Sequence, residues 1–448
     1  MSRPPPAPRR PRAVHPHPDV TKRRPPLKEA AALLQVSVAD GAACDAPIEP
    51  ASSGVTYVPA LNAGFQATAA RVQEMHQAIS GKSFDSLLLI PGLAVPTRIV
   101  QGVHDAITQG VYAAVRHGGS AALALAATAE RHASDPQRVP SAKERALRSV
   151  INGAVGDALA ATGDALAVQM GIHHGGALLA LTGAALAPLR PRVAVFIHGL
   201  ACDEHSWSLP TDAWSKSSWA KALPADRAIQ YGALLEHELD VSAVYVRYNT
   251  GSSIDTSAAQ LAALLQRAAQ AAPQVREWLL IGHSMGGLVA RRAHEMAASQ
   301  GLVWAAQAPM IVCLGSPHQG APLAQLGHLA AGALNLSKLT RPLGRIANAR
   351  SQGIKDLRHG LKRALKPPKS PALRLVFATL GDASDTVLGS LIGKAFGDGL
   401  VPAGSAADEG EAGDVERVEV AGLGHMGLLN HPRVYAAIRR WLGATDCA

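Results

Sequence analysis

Beyond position 190 the chain alternates short, unbroken apolar runs with longer stretches in which apolar side chains recur every three or four residues. Val193–Ile197, Val241–Tyr248, Trp278–Ile281, Met310–Leu314, Leu373–Thr379 and Val415–Val420 read as strands. Their near-continuous apolarity is that of strands covered on both faces of a parallel sheet. Thr256–Ala272, Met285–Ser299 and His431–Leu442 read as helices between them, the last two with a clear apolar face. Strand and helix in alternation predict an α/β fold, a mostly parallel sheet flanked by helices.

The pattern upstream differs. From 60 to 190 Ala, Leu, Val and Gly dominate, and the spacing of Val103, Ile107, Val111 and Val115, then of Ala146, Val150 and Ala154, predicts a helical N-terminal region. Its glycines weaken that pattern, since each costs about 1 kcal/mol relative to alanine inside a helix. Residues 1–59 form a basic, Pro-rich tail expected to be disordered. Downstream, more than fifty residues separate the strands at Leu314 and Leu373. That is too long for a plain crossover, so about 321–372 is read as a cap or lid insertion within a domain spanning 191–448.

Composition narrows the function. With 448 residues, 48% hydrophobic and 17% charged, the chain buries a large core. Cys44, Cys202, Cys313 and Cys447 lie far apart without a C-x-x-C pair, which argues against a zinc ribbon or disulfide scaffold and fits a reducing compartment. No run reaches the roughly 18 to 20 consecutive apolar residues of a membrane span. Of the net charge of +9, most lies in Met1–Lys28, where eight Lys and Arg face only Asp19. Those cations alternate with proline and no aromatics interleave them, so a solvated tail is expected, with no nucleic acid as partner. The twin arginines Arg9-Arg10 and Arg23-Arg24 precede no apolar signal core, so a cytoplasmic location is expected. Ala321–Arg374 carries eleven Lys and Arg against Asp356, whereas Asp398–Glu419 carries seven acids against Arg417. Either the two segments attract each other, or the insertion, with Leu323, Leu326, Leu329, Leu334, Leu336 and Leu339 lining an acyl pocket, docks peripherally on an anionic membrane at about 1 kcal/mol per charge.

The sharpest chemical signal is Gly282-His283-Ser284-Met285-Gly286-Gly287, a G-x-S-x-G run between a predicted strand and a predicted helix. A nucleophile at the tip of so tight a turn needs small neighbours two positions away, which Gly282 and Gly286 supply. Ser284 then faces outward at a helix N-terminus, where the Met285 amide can stabilise a developing oxyanion. His198-Gly199-Leu200 ends the first strand of the pattern and offers the Leu200 amide as a second oxyanion donor, with His198 itself read as a structural hydrogen-bonding residue. In this arrangement the base comes last in the chain. His425, in Gly422-Leu423-Gly424-His425 after the final strand, fits that place, while His431 before Pro432 reads as a helix-capping residue. The acid must lie between positions 284 and 425. Asp398 in Gly397-Asp398-Gly399-Leu400-Val401-Pro402 leads, with Asp382 and Asp385 as rivals.

Together with Leu314-Gly315-Ser316-Pro317-His318-Gln319-Gly320-Ala321-Pro322-Leu323, these motifs resemble bacterial α/β-hydrolases of the lipase and esterase type, especially the branch related to GPI-inositol deacylases. The resemblance spans about Pro191–Leu442 and extends to Gly353–Arg358 in the insertion. It implies an α/β-hydrolase fold, Asp398 as the acid of the triad, and ester hydrolysis through an acyl-enzyme, with acyl lipids or similar apolar small-molecule esters as the expected substrates. No cofactor and no metal are implied, and no His, Cys and carboxylate cluster at ligand spacing suggests one. Two other readings share the sequence: an acyltransferase with the same triad, and a non-catalytic membrane-surface or interaction protein keeping the fold.

Overall fold

A computed structural model of the chain describes residues 141–224, 227–322, 351–361, 370–380 and 397–443, together with scattered positions, several of them helical, between Gln66 and His117. The tail, most of the cap insertion with its six leucines, and the rival acids Asp382 and Asp385 lie outside the described residues.

The strands, in chain order, are β1 (Gly171–His174), β2 (Ala177–Leu178), β3 (Arg192–Ile197), β4 (Ser242–Arg247), β5 (Glu277–His283), β6 (Met310–Leu314), β7 (Ala372–Thr379) and β8 (Val415–Ala421). They form one sheet in the order β2-β1-β4-β3-β5-β6-β7-β8. From β4 to β8 all pairings are parallel, and β1 joins antiparallel to β4 and to β2. The helices are α1 (Ala142–Ala161), α2 (Gly183–Leu186), α3 (Tyr231–Glu238), α4 (Ile254–Ala271), α5 (Met285–Ser299), α6 (Val303–Ala306), α7 (Gln352–His359), α8 (Ala403–Ala407) and α9 (Pro432–Trp441). No helix among the described residues is long and apolar enough to cross a membrane.

The central strands explain the unbroken apolar runs. Val193, Val195 and Ile197 of β3 face a core built with α4 and α5, while Ala194 and Phe196 between them face a second core holding Trp207, Trp214, Tyr231 and Tyr435. Both faces are covered, so both sets of alternate residues are apolar. The edge strand β8 differs: within Val415–Ala421 Glu416 and Arg417 are half-buried and Glu419 is exposed. This is the α/β-hydrolase fold that the sequence motifs imply. From β3 the chain goes to β4 on one side and returns to β5 on the other, so the C-terminal ends of β3 and β5 flank the point where strand order reverses. In open α/β sheets that crevice is where ligands bind.

The helical reading of 60–190 needs correction at its C-terminal end, because residues 171–178 form a β-hairpin. Gly175 and Gly176 make its two-residue turn with φ of 58° and 84°, the conformation that a tight hairpin requires at both positions. The Ala- and Leu-rich context around the Gly-Gly pair concealed this turn. α1 does follow the helical spacing of Ala146, Val150 and Ala154. It opens with a capping box in which the Ser141 hydroxyl accepts from the Glu144 amide and the Glu144 carboxylate accepts from the Ser141 amide.

Buried ion pairs tie the elements around the elbow. Arg291 of α5 donates to Asp408 (2.8 Å), to Glu411 (2.8 Å) and to Nδ1 of His318 (2.9 Å). The acids that the sequence set against the basic insertion are thus in part committed to Arg291, while Asp414 pairs with Arg374 at the insertion's end. Arg291→Met would leave Asp408 and Glu411 without this cation in a place where both are nearly buried. We expect it to lower unfolding free energy by about 3 kcal/mol, seen in urea as a lower midpoint at unchanged slope.

Candidate active site

Ser284 stands between β5 and α5 at φ 53° and ψ −121°, a backbone conformation costly for a residue with a Cβ. Steric closure around it accounts for the glycines. A Cβ on Gly282 would lie 2.4 Å from Cα of Gly287, and one on Gly286 would lie 2.1 Å from the carbonyl oxygen of Ile197. The turn is closed further by the Ser284 amide, which donates to the Leu314 carbonyl at 2.8 Å.

β3 pairs with β5 so that Ile197 sits opposite Gly282. The chain leaving β3 therefore crosses directly over the elbow, and a Cβ on Gly199 would meet Cβ of Ser284 at 3.0 Å. Leu200, the next residue, and Met285, the first residue of α5, consequently flank Ser284. Neither amide donates a hydrogen bond among the described residues, and the first N–H groups of a helix have no partner within it. The two amides chosen from sequence as oxyanion donors thus belong to the residue after Gly199, which packs on Ser284, and to the residue after Ser284 itself.

His425 follows β8 in a short 3₁₀ turn, His425–Leu429. Its Nδ1 lies 2.6 Å from Oδ2 of Asp398, and its amide donates to the Asp398 carbonyl at 3.1 Å. The other carboxylate oxygen of Asp398 accepts from the amides of Leu400 (3.0 Å) and Val401 (2.8 Å). Asp398 is therefore held by its own turn, and it fixes which nitrogen of His425 carries a proton. The opposite nitrogen, Nε2, is buried with no hydrogen-bond partner among the described residues. The loop after β6 completes the enclosure, because a Cβ on Gly315 (φ 60°) would lie 3.2 Å from both Oδ2 of Asp398 and Cε1 of His425. The glycine of the Gly315-Ser316-Pro317-His318 motif is thus favoured by its positive φ and by the close approach of Leu428, whose Cδ1 would stand 2.7 Å from a Cβ there, with the acid and histidine crowding the same point.

The other histidines take different places. His198 is buried, with Nδ1 3.0 Å from the Gly199 carbonyl and its ring stacked on Tyr248. His431 caps α9, accepting from the Arg433 amide. His283 was not singled out from sequence. Its Nε2 lies 3.1 Å from the carbonyl oxygen of His425, with the two rings 4.7 Å apart, so it links the elbow to the His425 loop. As one of the variable positions of G-x-S-x-G it carries no signal in spacing; only the docking of the β8 loop reveals its role. Burial pushes the thiol pKa of Cys202 up to about 11 and that of Cys313 up to about 12, so neither supplies a thiolate near neutral pH.

Residues 191–338 match the family model of the PGAP1-like alpha/beta domain, a match that begins one residue before β3. Among solved structures, the chain is similar to the mature form of Bacillus licheniformis lipase BlEst2, with 17% identity, 57% of this chain and 92% of that chain covered, and a TM-score of 0.35. It is similar also to a lipase-esterase related protein from Clostridium acetobutylicum (12% identity, 56% and 94% covered, TM-score 0.34). A thermophilic esterase from Thermogutta terrifontis is a third (15% identity, 56% and 89% covered, TM-score 0.31). No curated protein matches the chain significantly.

Burial lowers the pKa of His198, and holds His283 and His318 well below the usual 6.5, with the Arg291 guanidinium adding to the effect on His318. These imidazoles stay neutral in the folded protein at pH values where the unfolded chain protonates them. Stability should therefore be fully present above about pH 6.5 and fall as the pH drops, by up to about 1.4 kcal/mol per pH unit for each histidine. Urea midpoints between pH 7.5 and 5.0 would show this, and His283→Asn should reduce the slope by one proton's worth.

Proposed function

We propose that the protein is a serine carboxylic-ester hydrolase that works through an acyl-enzyme. The observation carrying this reading is the Asp398–His425 pair, whose second imidazole nitrogen is buried without a hydrogen-bond partner among the described residues, packed through His283 against the strained turn that holds Ser284. In this reading Nε2 of His425 takes the proton of the Ser284 hydroxyl as its oxygen attacks the ester carbonyl. Asp398 keeps the imidazole in the required tautomer and stabilises the imidazolium. The amides of Leu200 and Met285 hold the oxyanion. His425 then returns the proton to the leaving alcohol, and water, deprotonated by the same histidine, releases the acid.

Apolar esters such as acyl lipids are the substrate class we assign. Met426, directly after His425, is 40% exposed, and Leu380, 56% exposed, lies against Gly399 and Gly424. Apolar side chains accessible beside the acid and histidine turns favour a substrate that removes them from water.

Two results test the reading. A fluorophosphonate should label the wild-type protein at Ser284, and Ser284→Ala should lose most of the roughly 10⁶-fold acceleration that a working triad supplies while remaining folded. Hydrolysis of p-nitrophenyl esters by a folded Ser284→Ala protein at the wild-type rate would remove the assignment. Asp398→Asn should leave KM almost unchanged and cost on the order of 10⁴ in kcat, because the amide favours the wrong tautomer. Adding competing alcohols to the same assay separates transfer from hydrolysis by the fraction of acyl group captured.

A further inference from the structure

The α1 helix lies outside the matched stretch 191–338, yet it touches the loop that carries the Leu200 amide. That loop is a tight turn, in which the Cys202 amide donates to the Gly199 carbonyl at 3.3 Å. Ala201 sits in it at φ 58°, a left-handed conformation that alanine does not favour. Something outside the turn must hold it there. Two contacts do so: the Ala201 amide donates to Oγ1 of Thr250 at 3.1 Å, and Gly153 of α1 lies so close that a Cβ on it would stand 3.1 Å from Cβ of Ala201 and 3.2 Å from its Cα.

The turn is therefore clamped. On one side Gly199 presses on Ser284; on the other Ala201 rests on Gly153. Thr250 is itself secured to α1 through its neighbours. Val155 breaks the helical backbone at φ −139°, and the Gly156 carbonyl accepts from Nδ2 of the buried Asn249 at 2.7 Å. Oδ1 of Asn249 accepts from the Gly251 amide at 3.0 Å, and a Cβ on Gly251 would lie 2.2 Å from the Asn152 carbonyl oxygen. The start of α7 closes the assembly from the insertion: the Ser351 hydroxyl donates to the Gly153 carbonyl at 2.7 Å, and the Gly353 amide donates to the Gly251 carbonyl at 3.0 Å.

We propose that Thr250 and Gly153 are positioning residues for catalysis: together they seat the Gly199–Cys202 turn so that the Leu200 amide stays within reach of the oxyanion formed at Ser284. The inference rests on Ser284 being the nucleophile. It gives the upstream helix a part in the reaction, since displacement of the turn by a fraction of an ångström weakens a hydrogen bond that matters most in the transition state.

The test uses the full-length chain. Thr250→Val keeps the shape and removes the acceptor for the Ala201 amide, Thr250→Ser keeps the acceptor, and Gly153→Ala inserts one methyl against Ala201. Thr250→Val should lower kcat for a p-nitrophenyl ester on the order of 10- to 100-fold with KM little changed, as misplacement of a reacting group does. The inhibition constant of a trifluoromethyl ketone, whose adduct carries the oxyanion, should rise by a similar factor. Thr250→Ser should restore both quantities. Gly153→Ala should reproduce the Thr250→Val pattern in weaker form and covers the case in which Thr250→Val does not fold. Equal losses in Thr250→Val and Thr250→Ser, a change in KM alone, or wild-type kcat and inhibition in Gly153→Ala would overturn the proposal. If the wild-type protein is not labelled at Ser284 by a fluorophosphonate, the hydrolase reading itself fails, and the two failures are thereby told apart.

Discussion

The arrangement depends on how closely backbone can approach backbone at the elbow after β5. Ser284 reaches its strained conformation because the carbonyl of Ile197 comes down onto Gly286 while Gly287 closes on Gly282, distances that leave no room for a single Cβ. Closing the turn brings β3's exit over the serine and lets α5 begin at once. The loops after β6 and β8 then fold against the same point, with Gly315 meeting Asp398 and His425. Strain at one residue is thus held by packing from four strands.

Polar groups around this point are arranged by role. Asp398 accepts from two amides of its own turn and from His425, so the orientation of its carboxylate is fixed by the fold itself. His283 joins the elbow to the carbonyl of His425. Farther along α5, Arg291 binds Asp408 and Glu411, which connects the serine-bearing helix to the segment leading from Asp398 to β8. The helix that begins after Ser284 and the segment that follows Asp398 are therefore tied together by ion pairs with little exposure to solvent.

Much of this was readable in the sequence, for reasons that particular residues make plain. Met310–Leu314 and Met285–Ser299 stand at the boundaries read from the pattern, because continuous apolarity and a one-sided helical face leave few alternatives. Ser284 was legible because its steric demands write two glycines at fixed offsets. Asp398 was chosen over Asp382 and Asp385 by position and resemblance; the hydrogen bond to His425 is a fact of three dimensions, and the two rivals lie outside the described residues. The hairpin at 171–178 escaped because a two-residue Gly-Gly turn is a weak signal inside an Ala-rich stretch. The roles of His283, Arg291, Gly153 and Thr250 escaped for a deeper reason: each depends on a partner dozens to more than a hundred residues away, and no local period encodes which partner that is.

The two borders of the sheet bear on how copies of the protein behave toward one another. One border is β2, only two residues long; the other is β8, where Glu416, Arg417 and Glu419 stand along the strand. A brief edge and a charged edge are both poor templates for adding a foreign strand. A chain whose central strands are as apolar as β3 and β5 would aggregate readily if those strands lay at the margin. Placing them in the middle keeps the most hydrophobic strands paired on both sides and leaves a short strand and a charge-bearing strand at the margins.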